Sequence, residues 1–163
     1  MVSAAAPVRG TLFVLFQIGR ERYALEAAAV AEVLPLVSVK HLPEAPHGVA
    51  GIIDYRGAPV PAIDLTELAL HRASERRLST RIILAHYPTG AREPRLLGLI
   101  AENVTRTLRR DSTDFVPAGV ASDGAPYLGP VASDGDGLIQ RIEVEALLPA
   151  GVRDALFRRA AEA

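Results

Sequence analysis

The chain has 163 residues, the size of one domain or two small ones; 49% are hydrophobic, 23% are charged, and the formal net charge is -1. That balance excludes an intrinsically disordered chain and argues against a generic nucleic-acid binder, which is usually distinctly basic. With no cysteine, disulfides, thiolate catalysis, zinc–thiolate sites and iron–sulfur clusters are excluded, and a reducing compartment is suited.

In chain order, residues 1–10 (MVSAAAPVRG) lack the apolar segment of a secretory signal and are expected to be disordered. Leu12, Val14, Phe16 and Ile18 alternate with Phe13, Leu15 and Gln17, so both faces are largely apolar. A turn at Gly19–Arg22 and a second run at Tyr23–Leu25 complete a buried hairpin. Glu26–Leu34 (EAAAVAEVL) is rich in helix formers and stops at Pro35, which predicts one or two helical turns with Glu32 and Val33 near their end. Val37–Leu42 is extended. Gly51–Tyr55 and Pro59–Leu65 flank Arg56-Gly57-Ala58 and predict a second hairpin, with Pro59 and Pro61 on an edge strand.

Leu68–Ser79 turns polar and basic and reads as a linker or mobile loop. Strands are predicted again at Thr80–Tyr87, Arg95–Glu102 and Val104–Leu108, then a late hairpin at Gly129–Ala132 and Leu138–Val144. Pro149–Ala163 is predicted to be an amphipathic helix carrying Val152, Leu156 and Phe157 on one face. Gly51-x5-Gly57 followed by Ile63-Asp64-Leu65 is echoed by Gly129-x5-Gly135 followed by Ile142-Glu143-Val144, a pattern that internal duplication or chance could produce. No charge-free run approaches the roughly 20 residues of a bilayer span, so a soluble, cytoplasmic protein without membrane insertion is expected.

Reactive chemistry is hard to find. His41, His47, His71 and His86 show no metal-ligand spacing, and there is no phosphate-binding loop or nucleophile elbow. Asp134-Gly-Asp136-Gly imitates the start of a calcium loop, but Leu138 falls where an oxygen ligand is needed, and a β-turn explains it better. Asp54, Asp64 and Glu143 suit strand-end capping better than acid–base catalysis. Arg72/Arg76/Arg77 and Arg106/Arg109/Arg110 read as solvated faces in a chain with few aromatics for base stacking. No enzyme, cofactor or metal is expected; function must lie on the surface.

The runs F-V-L-F-Q-I-G-x-x-x-Y-A-L-E (Phe13–Glu26), V-A-E-V (Val30–Val33), L-P-E-A-P (Leu42–Pro46), G-I-I-D-Y-R-G (Gly51–Gly57) and V-P-A-I-D-L (Val60–Leu65) resemble, in this order, the CheW family of chemosensory coupling proteins. T-R-I-I-L (Thr80–Leu84), L-L-G-L-I-A-E-N-V (Leu96–Val104), Y-L-G (Tyr127–Gly129) and I-E-V-E-A-L-L (Ile142–Leu148) extend the resemblance over roughly residues 11–150. It implies a mainly β fold: two packed five-stranded SH3-like β-barrels with a short internal helix and a C-terminal α-helix. The subdomains would span about 11–70 and 79–148, with exchange of strands between them allowed for, and the helix 151–163.

The implied function is that of an adaptor joining the cytoplasmic hairpin tips of chemoreceptors to the regulatory domain of a CheA-type histidine kinase. By the same resemblance Glu32, Val33, Arg56, Val104 and Leu156 would contact the receptor, and Gly51, Val60 and Ile63 the kinase. Asp54-Tyr55-Arg56-Gly57 replaces the family's N-x-R-G turn and sets a negative charge beside Arg56. That turn and the L-S-T-R-I-I-L run (Leu78–Leu84) look closer to couplers of Wsp-type surface-sensing pathways controlling cyclic-di-GMP. A small β-barrel that binds peptide or nucleic acid is the alternative.

Overall fold

Strands with apolar residues on both faces need cover on both sides, and the topology supplies it. The computed structural model describes residues 10–120 and 123–158. The strands are β1 (Thr11–Ile18), β2 (Glu21–Glu26), β3 (Val30–Pro35), β4 (Val49–Tyr55), β5 (Ala58–Asp64), β6 (Arg81–Tyr87), β7 (Arg95–Arg110), β8 (Leu128–Asp134) and β9 (Gly137–Ile142), with helices α1 (Leu65–Leu70) and α2 (Ala150–Leu156).

They form two five-stranded barrels that share β7. In the first, β3 pairs β6, β6 pairs the Arg95–Ala101 part of β7, and the Gly98–Ile100 stretch takes β5 in parallel, with β4 beyond it. In the second, the Glu102–Arg110 part of β7 pairs β1, followed by β2, then β9 in parallel, then β8. Each has one further bridge, Lys40 to Ile52 and Val116 to Val131, which ties the free side of β4 or β8 to the segment following β3 or β7. The barrels are therefore not the successive stretches 11–70 and 79–148. The N-terminal hairpin β1–β2 completes the barrel of the C-terminal hairpin β8–β9, and the echoed hairpins β4–β5 and β8–β9 occupy matching places.

Core residues partition by strand parity. Ile82 and Leu84 face the interior of the first barrel with Ile53, Val60, Ala62 and Ile100. Phe13 and Ala24 fill the second with Phe115, Ala132 and Ile139. The opposite faces, including Val14, Phe16, Ile63, Ile83, Tyr87, Leu97, Leu99 and Val104, meet in a third core between the barrels. Among the described residues that shared core holds eighteen buried residues against six and five, so neither barrel has a sufficient core alone.

Three expectations need correction. The helix predicted over Glu26–Leu34 is a single 3-10 turn at Ala27–Ala29 followed by strand β3. Alanine-rich propensity yields to packing, because Val30 and Val33 pack on the inter-barrel core and Leu34 on the first barrel's core. The supposed linker from Leu68 starts inside α1, whose N-cap Asp64 accepts from the Thr66 and Glu67 amides. Its continuation is fastened: Ser74 donates through its amide (2.9 Å) and its hydroxyl (2.6 Å) to the Asp64 carboxylate. The strands predicted at Arg95–Glu102 and Val104–Leu108 are one strand, bent at Asn103, where φ is 51°. The edge position holds for Pro59 and Pro61; only Ala62–Asp64 of β5 takes a second partner. The expected C-terminal helix is present as α2, while the predictions for residues 1–9 and 159–163 lie outside the described residues.

Candidate functional site

The Asp54–Gly57 sequence builds a two-residue hairpin turn in which Arg56 and Gly57 both have positive φ, 53° and 83°. Such primed turns match the twist of paired strands, and glycine at the second position makes one of the two positive angles inexpensive. The Asp54 carboxylate accepts from the Gly57 amide at 2.8 Å, so the acid flanking Arg56 serves the turn. Arg56 is thereby held out from the sheet, its side chain 76% exposed.

A break in register between Val30 and Glu32 in β3 sets Glu32 beside this turn. The Tyr55 hydroxyl donates to Glu32 Oε2 at 2.5 Å, and Arg56 Nη2 lies 3.5 Å from the same oxygen. The Arg56 guanidinium also sits over the Tyr55 ring, 5.1 Å from its centroid. The hydrogen bond to the carboxylate favours the protonated phenol and is the main reason the Tyr55 pKa is raised; slight desolvation adds to this and Arg56 opposes it. With Glu32 39% exposed as well, the ion pair contributes about 0–1 kcal/mol to stability. Its place on the surface suits partner selection.

Of the remaining residues expected at the receptor site, Val33 follows Glu32 on β3, while Val104 and Leu156 belong to other elements. Val33 packs half-buried on the inter-barrel core, as does Leu156 from α2. Val104 is buried in that core, and its amide donates to Ser79 at 2.9 Å. Phe157, next to Leu156, stacks on Tyr87 at 5.5 Å. Val104 thus lies by the start of β6, through Ser79, and Leu156 by its end, through the neighbouring Phe157 on Tyr87. Of the residues expected to face the kinase, Gly51, Val60 and Ile63 are all buried. Gly51 has φ 149°, and a Cβ there would stand 1.9 Å from the Lys40 carbonyl oxygen, so it permits the Lys40–Ile52 bridge.

Tyr55 was visible in the sequence only as a turn residue; its partner lies 23 residues away on another strand. The other charged groups considered have structural partners. Arg72 pairs Glu102 at 3.6 Å, Arg77 pairs Glu75 at 2.5 Å and Arg110 pairs Asp114 at 3.0 Å, which leaves the basic patches partly neutralised. Asp134 is gripped by both terminal nitrogens of Arg22 at 3.0 and 2.5 Å within the β8–β9 turn. Among the described residues no three His, Asp or Glu side chains converge as a metal site.

This is a protein of two fused β-barrels whose surface carries a Glu32–Tyr55–Arg56 cluster where β3 meets the β4–β5 turn. Comparison with known proteins identifies its family. The profile of the CheW-like domain family matches residues 12–151. The chain is 27% identical over 149 residues to the chemotaxis protein CheW of Rhizobium meliloti, covering 90% of this chain and 92% of that one. It is 25% identical over 137 residues to CheW of Helicobacter pylori, covering 83% and 80%. The crystal structure of the scaffolding protein TtCheW from Thermoanaerobacter tengcongensis superposes with a TM-score of 0.78 at 25% identity, over 93% of this chain and 96% of that one. The protein belongs to the CheW-like domain family.

Proposed function

We propose that this protein is a non-catalytic scaffold of chemotaxis-type signalling that couples chemoreceptor hairpin tips to the regulatory domain of a CheA-type histidine kinase. Membership of a family whose relatives are named chemotaxis and scaffolding proteins supports the scaffold role. The observation that carries the receptor half is the Glu32–Tyr55–Arg56 trio, which links β3 to the exposed β4–β5 turn. Charges so placed choose partner and orientation more than they add affinity.

Val33 supports the receptor face through the strand it shares with Glu32; Val104 and Leu156 act from the underlying core. For the kinase, Gly51, Val60 and Ile63 act from beneath by fixing the β4–β5 hairpin. The hairpin's outer face, where Ile52 opposes Pro61 and Asp54 opposes Pro59, makes the contact. The tip and the outer face of one hairpin use different side chains, which allows both partners to bind side by side, and multiplicity in an array raises avidity over weak single contacts. No helix among the described residues is long and apolar enough to cross a membrane, and the site of action is the cytoplasmic side of membrane receptor arrays.

The test is a pull-down with a kinase regulatory domain and a receptor hairpin tip offered together. Capture of both on one adaptor is expected; failure to bind either one refutes coupling. The Asp54–Gly57 turn and the Leu78–Leu84 run support the narrower assignment to a surface-sensing pathway. Deletion of the gene should then change cyclic-di-GMP level and leave swimming chemotaxis intact; the reverse outcome removes that assignment.

A further inference from the structure

Glu32 on β3 and Arg56 in the β4–β5 turn are long side chains, each free to rotate unless something holds it. Tyr55 touches both. Its hydroxyl takes Glu32 Oε2, and its ring lies under the Arg56 guanidinium. Arg56 approaches that same Oε2 at 3.5 Å. Among the described residues, Glu32 Oε1 accepts no hydrogen bond and the Arg56 guanidinium donates none. The tyrosine therefore ties down Oε2 of the carboxylate and leaves Oε1 available. Because the ring packs partly against the first barrel's core, the clamp is anchored to the body of the protein.

We propose that Tyr55 is a positioning and specificity residue of the receptor site, orienting Glu32 and Arg56 so that they present one free acceptor beside one guanidinium fork. The complementary partner surface carries a carboxylate to engage Arg56 and, beside it, an N–H or O–H donor for Glu32 Oε1. This inference rests on the receptor-binding role proposed above and names the chemistry that role requires. A tyrosine that only filled space would be replaced by phenylalanine without consequence, since the ring and its stacking on Arg56 remain.

The experiment uses the full chain, with wild type, Tyr55→Phe, Glu32→Ala and the double variant, each checked for folding by thermal melting. Affinity for a receptor hairpin tip is measured by calorimetry. The phenol of Tyr55 is followed by ultraviolet pH titration, read as the difference between proteins with and without that hydroxyl. Tyr55→Phe is expected to weaken binding roughly three- to tenfold, the loss of one hydrogen bond to a charged group at a partly exposed site. The double variant should bind no worse than Glu32→Ala, because the hydroxyl acts through the carboxylate. Glu32→Ala should also lower the pH at which Tyr55 ionises, a signature that exists without any partner. Wild-type affinity in Tyr55→Phe, additive losses in the double variant, or a Tyr55 titration unmoved by Glu32→Ala each overturn the proposal. If the wild type itself does not bind the hairpin, the coupling role falls, and the titration still decides whether the clamp exists.

Discussion

Replacing Gly51 by alanine should strike the point where the first barrel is tied across its gap. The added Cβ would lie 1.9 Å from the Lys40 carbonyl oxygen, 2.8 Å from its carbonyl carbon and 3.0 Å from Val39 Cγ1. Ordinary contact at a carbonyl oxygen needs more than 3 Å, roughly an ångström beyond what the backbone allows, so the strands must part. Parting them strains or breaks Lys40 N–H to Ile52 O (2.8 Å) and Ile52 N–H to Lys40 O (2.9 Å). Two such bonds are worth about 1–3 kcal/mol together. A φ of 149° adds about 1–3 kcal/mol of strain in a residue bearing Cβ. The sum, about 2–6 kcal/mol, is a large share of the 5–15 kcal/mol typical of a domain. At about 2–4 °C per kcal/mol the melting temperature should fall by about 4–24 °C. Thermal melts by circular dichroism measure this, with Gly57→Ala as the contrast. That glycine also has positive φ, but nothing lies within 4 Å of its added carbon, so the cost should be only about 1 kcal/mol. If Gly51→Ala melts within about 2 °C of wild type, or no lower than Gly57→Ala, the steric argument fails.

Exchanging the charges of the receptor site by Glu32→Arg with Arg56→Glu should recover part of the hairpin-tip binding that each single change abolishes; single variants that bind normally remove the pair from the interface. Asp134 is held down to about 2, chiefly by its hydrogen bond from Arg22. Its folded pKa lies below its unfolded value of about 3.9, so its stabilisation is full above about pH 4 and is lost as pH falls through about 2. Asp134→Asn should therefore lower the melting temperature at pH 7 while the gap from wild type narrows toward pH 2, and a constant gap would refute this. Asp64→Ala removes the cap of α1 and both anchors of Ser74 and should cost about 2–4 kcal/mol in urea unfolding; a loss under 0.5 kcal/mol would contradict it.

Much of this architecture is legible in the chain itself. The hairpins are written in two-residue periods broken at Gly19 and Gly57, and unbroken apolar runs such as Ile82–Ala85 signal strands covered on both faces. What misleads is short and local. Ala27–Ala29 favours a helix, yet β3 is fixed by neighbours on β6 that no local window contains. The α1 helix was announced by Asp64 three residues before Glu67, a capping pattern that the preceding apolar strand obscured. The candidate site divides in the same way. Glu32 and Arg56 come together at the surface, while Val104, Val60 and Ile63 turn inward because strand parity sends them to cores. Tyr55 reads as a turn residue, and its bond to Glu32 is not legible because that partner lies on a strand 23 residues away.

The pairing of β1–β2 with β8–β9 also orders events during synthesis. Residues from Val30 to Ala101 hold every strand of the first barrel and can pair while the ribosome still holds the tail, but the amino-terminal hairpin has its parallel partner at β9, emerging only near residue 142. Until then Phe13 and Ala24 have no finished interior to enter, and the nascent chain carries an unpaired sheet edge open to misassociation or chaperone capture. Moving the hairpin's coding segment to the gene's far end, a circular permutation, should shorten that exposed interval without altering the finished shape.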